Sequence, residues 1–335
     1  MFALAVAACL TAGAGIAIAE PPVLVSREGT LGVRAPDGSR VTAPLAAGLT
    51  LHALAPLRGD DWVAAGVRDG STLVLLRNDR TGTADSPGVA RVPAPESGGG
   101  VAASPVPLSD GEGGLVGLAW LAGASPRSLE VRFAPALDRG RGSWGATETV
   151  AAAAAGSQLA LSGAVLADGS ALLVWSAFDG EDDEILWSRR DEGRWSEPAT
   201  LGGGNRVPDI TPAVAAVGEG AVAAWSRFDG GEYRLVISRW TGEGWSPPEP
   251  AGPPGSLYPT LLAGDEGAVL AYRDARRRAW TALRLESTAR ITARAFLPVS
   301  EAGADPVLLG SGAEGVRFVD PATEKPTTVP WEQLP

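Results

Sequence analysis

The 335-residue sequence contains one cysteine, Cys9, and one histidine, His52. An internal disulfide is therefore impossible, and a zinc site of Cys and His ligands has too few donors. A Ser-His-Asp or Cys-His catalyst would have to use His52, and no Gly-x-Ser-x-Gly elbow accompanies it. His52 opens an apolar segment and reads as an ordinary polar residue on a strand. Lys325 is the only lysine; the other basic residues are all arginine. The formal net charge is −11, with acidic residues spread along the chain and no basic stripe. Such a surface repels nucleic acid and anionic lipid. The glycine runs 98–100 and 202–204 lack the lysine of a phosphate-binding loop, and no cofactor or metal is expected. No long segment keeps a 3.6-residue apolar period.

Present instead are 44 glycines, 27 prolines and 11 tryptophans, which punctuate short apolar runs from end to end. That pattern predicts many short β-strands. A chain of this length lies near the upper limit for one compact core. A closed repeat fold escapes that limit, because each unit buries its apolar face on its neighbours.

The first nineteen residues carry no charge, and Glu20-Pro21-Pro22 ends the run. Ala17-Ile18-Ala19 fits the small-x-small pattern of a cleaved signal peptide. No basic residue precedes the run, so a complete signal would need a start further upstream. Val6-Ala7-Ala8-Cys9 resembles a lipobox, which would make Cys9 a lipidation site. A third reading keeps the segment as an anchor, since nineteen residues just span a bilayer. All three put residues 20–335, read as a single domain, outside the cytoplasm: in the periplasm, in the cell envelope or secreted. Membrane contact is expected only through this terminus.

The most informative feature is self-similarity. Residues 171–201 and 221–251 align without a gap. Trp175 matches Trp225, Phe178 matches Phe228, and Asp179-Gly180 matches Asp229-Gly230. Ser188 matches Ser238, and Trp195-Ser196 matches Trp245-Ser246. Fainter copies include Gly267 to Tyr272 with Trp280, Leu115 to Trp120 with Trp144, and a degenerate unit with Trp62 and the turn Asp69-Gly70. Pro22 to Val25, leading to Gly32-Val33-Arg34, resembles Pro306 to Leu309, leading to Gly315-Val316-Arg317.

Each unit fits a four-stranded antiparallel meander. In the clearest one the strands are expected at about 160–166, 171–176, 184–189 and 196–201, with Asp168-Gly169 as the first turn. The run Ala171 to Trp175 is wholly apolar, as is Ala221 to Trp225. Strands covered on both faces need that pattern. The expected fold is all-β: a β-propeller of four-stranded antiparallel blades. The similar end segments argue for seven blades, with six the alternative; a β-sandwich pair or a β-solenoid is the other architecture.

The stretch from Trp175 to Leu201 resembles the repeats of the sialidase-like, Asp-box (BNR) propeller superfamily. Ser188, Asp191, Gly193 and Trp195 make a distorted Asp-box: the serine stands one place further from the aspartate, and the Gly-to-Trp gap is one residue shorter. The next copy, Ser238 to Trp245, has lost the aspartate. The resemblance is good over about 158–285. It implies a structural turn between the third and fourth strands, with Asp accepting backbone N–H groups, Gly at positive φ and Trp covering the blade edge. Sialidase chemistry would further require three arginines on different blades, a Tyr–Glu nucleophile and an Asp acid/base. The family's N-terminal arginine-isoleucine-proline motif has no counterpart, and the only tyrosines are Tyr233, Tyr258 and Tyr272. The resemblance therefore implies a non-catalytic member.

Function is expected at the loops joining the second to the third strand and one unit to the next. Asp179, Asp229, Asn205, Asp209, Tyr258, Arg273 and Asp274 are the candidates for a ligand face. The run Asp179 to Glu184 offers oxygens for Ca²⁺, but it does not fit an EF-hand and its copy is less acidic, so it reads as a solvated turn. Arg276-Arg277-Arg278 reads as a solvated basic turn, or as an anion contact on the same face. Trp187, Trp240 and Trp280 are expected to be more exposed than the repeated Trp175, Trp195, Trp225 and Trp245. The expected activity is a binding or interaction module with a protein or glycan partner. The alternatives are a sialidase-like glycoside hydrolase and a carbohydrate-binding propeller without catalysis.

Overall fold

The computed structural model describes the chain except residues 1–3, 7–22, 28–29, 35–39, 45, 58–60, 79–88, 111–113, 140, 154–155, 157, 265–266, 300–304, 321, 324 and 335; before residue 46 and at Asn78 it describes backbone only. Cys9 and most of the export segment thus lie outside the described residues.

The described strands form seven antiparallel sheets in chain order, each a meander. With the strands of a sheet lettered A to D along the chain, the fourth sheet is Gln158–Val165, Ala171–Phe178, Asp183–Asp191 and a split D strand, Arg194–Trp195 and Ala199–Thr200. The fifth is Asp209–Val217, Gly220–Phe228, Tyr233–Trp240 and Glu249–Pro254. The sixth is Ser256–Gly264, Gly267–Asp274, Ala279–Glu286 and Ile291–Leu297, with Glu332–Gln333 paired to its last strand. The third begins with Val101–Ser109 and Leu115–Gly123, and the second with Leu49–Pro56 and Trp62–Arg68. Two end segments complete the set. Leu4–Val6 pairs with Val23–Arg27 in the first sheet, and the seventh has three strands, beginning with Val307–Ser311 and Gly315–Val319. Strand A of each sheet lies against strand A of the next, from the first to the seventh.

The apolar B strands explain this stacking. Ala171, Leu173 and Trp175 face the third sheet, in one cluster with Leu121 and Phe133. The alternate residues Leu172 and Val174 face the fifth, in one cluster with Val214 and Trp225. A strand wetted on neither face has no use for polar side chains. Trp225 repeats the orientation of Trp175, joining Leu172 and Val174 of the preceding sheet, and Trp120 does the same toward the second sheet. All three are fully buried. The fifty-residue tryptophan interval is thus the interval of equivalent packing sites.

A β-bulge accompanies each of these rings. Trp120, Trp175, Trp225 and Tyr272 each stand opposite two residues of strand A: Ser104-Pro105, Ala160-Leu161, Thr211-Pro212 and Tyr258-Pro259. The first residue of every pair has φ between 46° and 55° although none is glycine. Glycine has a different task at the start of strand B. A Cβ on Gly220 would strike the carbonyl oxygen of Trp240, and one on Gly267 that of Leu285.

The outer turns repeat as well. Ser188 Oγ donates to the Ser196 carbonyl at 2.7 Å and Arg189 N donates to Ser196 Oγ at 3.1 Å. Ser238, Ser246 and Arg239 repeat both bonds at 2.6 and 3.0 Å. Gly193 has φ +80°, and Trp195 packs edge-on against Phe133 of the third sheet at 5.2 Å. Asp191 departs from the expected role: its carboxylate meets Arg189 at 3.8 Å and stays largely in solvent, so the two serines hold this turn. The expectation for the C-strand tryptophans also needs correction. Trp240 and Trp280 are buried, and Trp187 packs on Trp240 at 5.0 Å, because the C strands too are covered by the adjoining sheet.

Candidate functional site

At one end of the sheets strand B turns into strand C and the chain enters strand A of the next sheet. The B–C turns of the fourth and fifth sheets share one backbone design. Asp179 N donates to the Asp182 carbonyl, and Asp229 N to that of Glu232, each at 3.0 Å. Oδ1 of Asp179 accepts N–H from Glu181 and Asp182; Oδ1 of Asp229 accepts from Gly231 and Glu232. These bonds hold both aspartates below the usual carboxylate range. Gly180 and Gly230 take positive φ behind them.

Beside the fourth-sheet turn a buried polar network crosses to the fifth sheet. Glu184, on strand C, is 2% exposed. Its carboxylate accepts Asn205 N at 2.7 Å and Asn205 Nδ2 at 3.4 Å. Asn205 Nδ2 also donates to Asp209 Oδ2 at 3.2 Å. Asp209 is fully buried at the start of strand A and takes Arg227 in a two-pronged pair, with contacts of 2.6 and 2.8 Å. Arg227 in turn lies over the Trp225 ring at 5.7 Å. Burial pushes the Glu184 carboxyl up to about 7, reinforced by the negative charges of Asp209 and Asp182 and opposed by Asn205 N–H and Arg227. Burial, followed by Asp179 and the other acids around it, also raises Asp182. Asp179, Asp182 and Glu184 bring one carboxylate oxygen each within 4.8 Å of one another.

The next seam has a different character. Arg234 donates to Asp229 Oδ2 at 3.1 Å, and Arg276 of the sixth sheet takes Glu232 at 2.5 and 2.9 Å. Arg277 pairs with Asp274 at 3.1 Å and stands 5.7 Å from the Phe296 ring. Two arginines of the basic run are therefore occupied by carboxylates. Phe228 and Tyr233 pack edge-on at 5.4 Å, and Asp183 and Tyr258 add to burial in raising the Tyr233 pKa. Tyr258 is half-exposed on its bulge.

Between the A strands runs a cavity of about 280 Å³ lined by His52, Ser104, Ser162, Thr260, four prolines and apolar residues. His52 stands where the strand register slips between Leu51 and Ala53, and desolvation lowers its pKa. That lining contains no arginine, glutamate or tyrosine.

No family model matches this chain, and no curated protein matches it. Among solved structures it is similar to a fungal lectin, that of Aleuria aurantia, described as a six-bladed β-propeller with a novel fucose recognition mode. The identity is 14% over 90% of this chain and 98% of that one, with a TM-score of 0.54. It is similar to a polysaccharide lyase, an ulvan lyase, at 9% identity over 98% and 96% of the chains, TM-score 0.53. A further polysaccharide lyase gives 11% identity over 97% and 92%, TM-score 0.52. The fold is a β-propeller. With the fourth, fifth and sixth sheets called blades four, five and six, the site lies where these three meet.

Of the seven residues expected on a ligand face, the structure brings Asp179, Asn205 and Asp209 together at the seam of blades four and five. Asp229, Tyr258, Arg273 and Asp274 stand with blades five and six. Sequence reasoning missed Arg227, and it set Asp182 and Glu184 aside as part of a solvated turn. The signal was present: Glu184 aligns with Arg234, a reversal of charge inside a well-matched repeat.

Proposed function

We propose that this chain is an exported, seven-bladed, non-catalytic propeller of the sialidase-like, Asp-box kind, which binds a glycan on the face carrying its B–C turns. The observation that carries the binding reading is the placement of exposed apolar side chains. Among the described residues the large ones are Leu137, Leu159, Phe178 and Tyr258. Leu159 and Tyr258 open A strands and Phe178 ends a B strand, so three of the four lie at this end. Sugars are recognised by an apolar ring beside rigid polar groups, and the Glu184–Asn205–Asp209–Arg227 network supplies the rigid groups. The sialidase alternative receives no support from the channel, whose lining has none of the required residue types.

The count of seven is supported by the seven sheets, taken as one blade each. Export rests on the uncharged run ending in Ala17-Ile18-Ala19. Cleavage before Glu20 would remove Leu4–Val6 and leave the first sheet with three strands, the number in the seventh. The ligand test is a glycan array, followed by titration calorimetry on the best hit. Phe178→Ala and Tyr258→Ala should each weaken binding about tenfold, a loss of ~1.4 kcal/mol, without changing the melting temperature. An array with no hit for the folded protein, or variants that bind as well as the parent, sinks the reading.

A further inference from the structure

We infer that the seam of blades four and five is a calcium site, ligated by the carboxylates of Asp179, Asp182 and Glu184. The inference goes beyond glycan binding and stands whether or not the face holds a sugar.

Acidic side chains gather on many surfaces, so the argument rests on what surrounds these three. Both carboxylate oxygens of Asp182 are sealed from solvent and neither has a hydrogen-bond partner. What exposure the residue keeps belongs to its other atoms. Glu184 is more than nine-tenths buried and points into the same space. A carboxylate in that position costs free energy unless a cation or a donor meets it. Arg227, whose charge acts on Glu184, is held by Asp209, and Arg206 reaches Glu181, at 3.7 Å. The blade-five copy supplies its own cation, since Arg234 occupies the position of Glu184 and pairs with Asp229. Blade four has the same turn with that cation replaced by a third acid.

The geometry selects the ion. Two oxygens bound to one Ca²⁺ at 2.3–2.6 Å lie at most about 5 Å apart, and the three ligand atoms here lie within 4.8 Å of one another. Oδ1 of Asp179 is committed to its turn, which leaves Oδ2 for the metal. An all-oxygen set excludes zinc and copper preferences. Three carboxylates suit Ca²⁺ better than Mg²⁺, which keeps most of its water and uses one or two. Asp179 is exposed, so water completes the shell from that side.

The test uses the whole protein stripped with EDTA and titrated with CaCl₂, with terbium luminescence as a second readout. One ion per chain is expected, with Kd between about 10⁻⁶ and 10⁻³ M. Asp182→Asn and Glu184→Gln should each weaken it at least tenfold, while Glu232→Gln in the matching turn leaves it unchanged. Calcium should raise the melting temperature of the parent and of Glu232→Gln, and leave that of Asp182→Asn unmoved. Absence of a stoichiometric signal up to ~10 mM CaCl₂ with folded protein overturns the inference. So does Asp182→Asn binding calcium as the parent does.

Discussion

The B–C turns of blades four and five share a backbone and differ in what neutralises them. Asp179 and Asp229 close the same turn through the same two N–H groups, and Phe178 and Phe228 precede them. In the blade-five turn both acids have an arginine, Asp229 from the following strand and Glu232 from blade six. In blade four the Asp182 carboxylate has no hydrogen-bond partner and Glu184 sits buried against other acids. The repeat therefore specifies the frame, and the residues free to vary within the frame specify the chemistry. Substitutions that treat the two blades alike measure the frame, and those that treat them differently measure the site.

The largest effect concerns the frame. Trp175→Ala and Trp225→Ala each empty a fully buried site between adjacent blades. Each should cost about 3–5 kcal/mol, as large aromatic truncations do, and the two costs should agree within ~1 kcal/mol. Urea denaturation checks this; values differing by more than half would mean the surroundings of the two rings are not equivalent. The Trp175 Nε1 hydrogen bond to Gln158 at 2.6 Å, which Trp225 lacks, predicts that any remaining difference puts the larger cost on Trp175.

Glu184→Gln separates the blades. Folded, the Glu184 carboxyl sits at about 7, above its ordinary value near 4.3. A raised carboxyl pKa means the folded state holds its proton more tightly than the unfolded state. The ionisation penalty is absent below about pH 4 and complete above pH 7. Glutamine keeps the acceptor for Asn205 N and cannot ionise. With EDTA present, the variant should match the parent near pH 4.5 and exceed it by at most about 4 kcal/mol at pH 8. A stability difference that stays flat over that range, followed by thermal melts, would show that Glu184 is not the strained acid. Saturating calcium should reverse the order at pH 8.

The frame was legible in the sequence for a physical reason. Strands wetted on neither face must be apolar throughout, so Ala171 to Trp175 and Ala221 to Trp225 encode inter-blade burial directly. The four strands of the clearest unit fall within a few residues of their expected positions. The bulges were not legible, because Ala160, Thr211 and Tyr258 share a backbone conformation and no side-chain property. The site was half legible. Asp179, Asn205 and Asp209 fell on the right loops, but the link from Glu184 to Asn205 spans 21 residues and two blades. No local pattern encodes such a contact. The acidic run read as a solvated turn because burial of Glu184 depends on the neighbouring blade.

The smallest effect falls at the residue aligned with Glu184. Arg234→Ala removes the pair with Asp229, whose partners are both more than a third exposed. Exposed pairs contribute about 0–1 kcal/mol, and salt screens them. A loss below ~0.5 kcal/mol is expected, shrinking in 0.5 M NaCl, as read from denaturation midpoints. One backbone position would then give opposite responses in adjacent blades: neutralising the buried acid stabilises the calcium-free fold, and removing the exposed base weakens it slightly. A loss at Arg234 as large as the gain at Glu184 would mean that burial does not separate the two turns, and the distinction between frame and site would fail there.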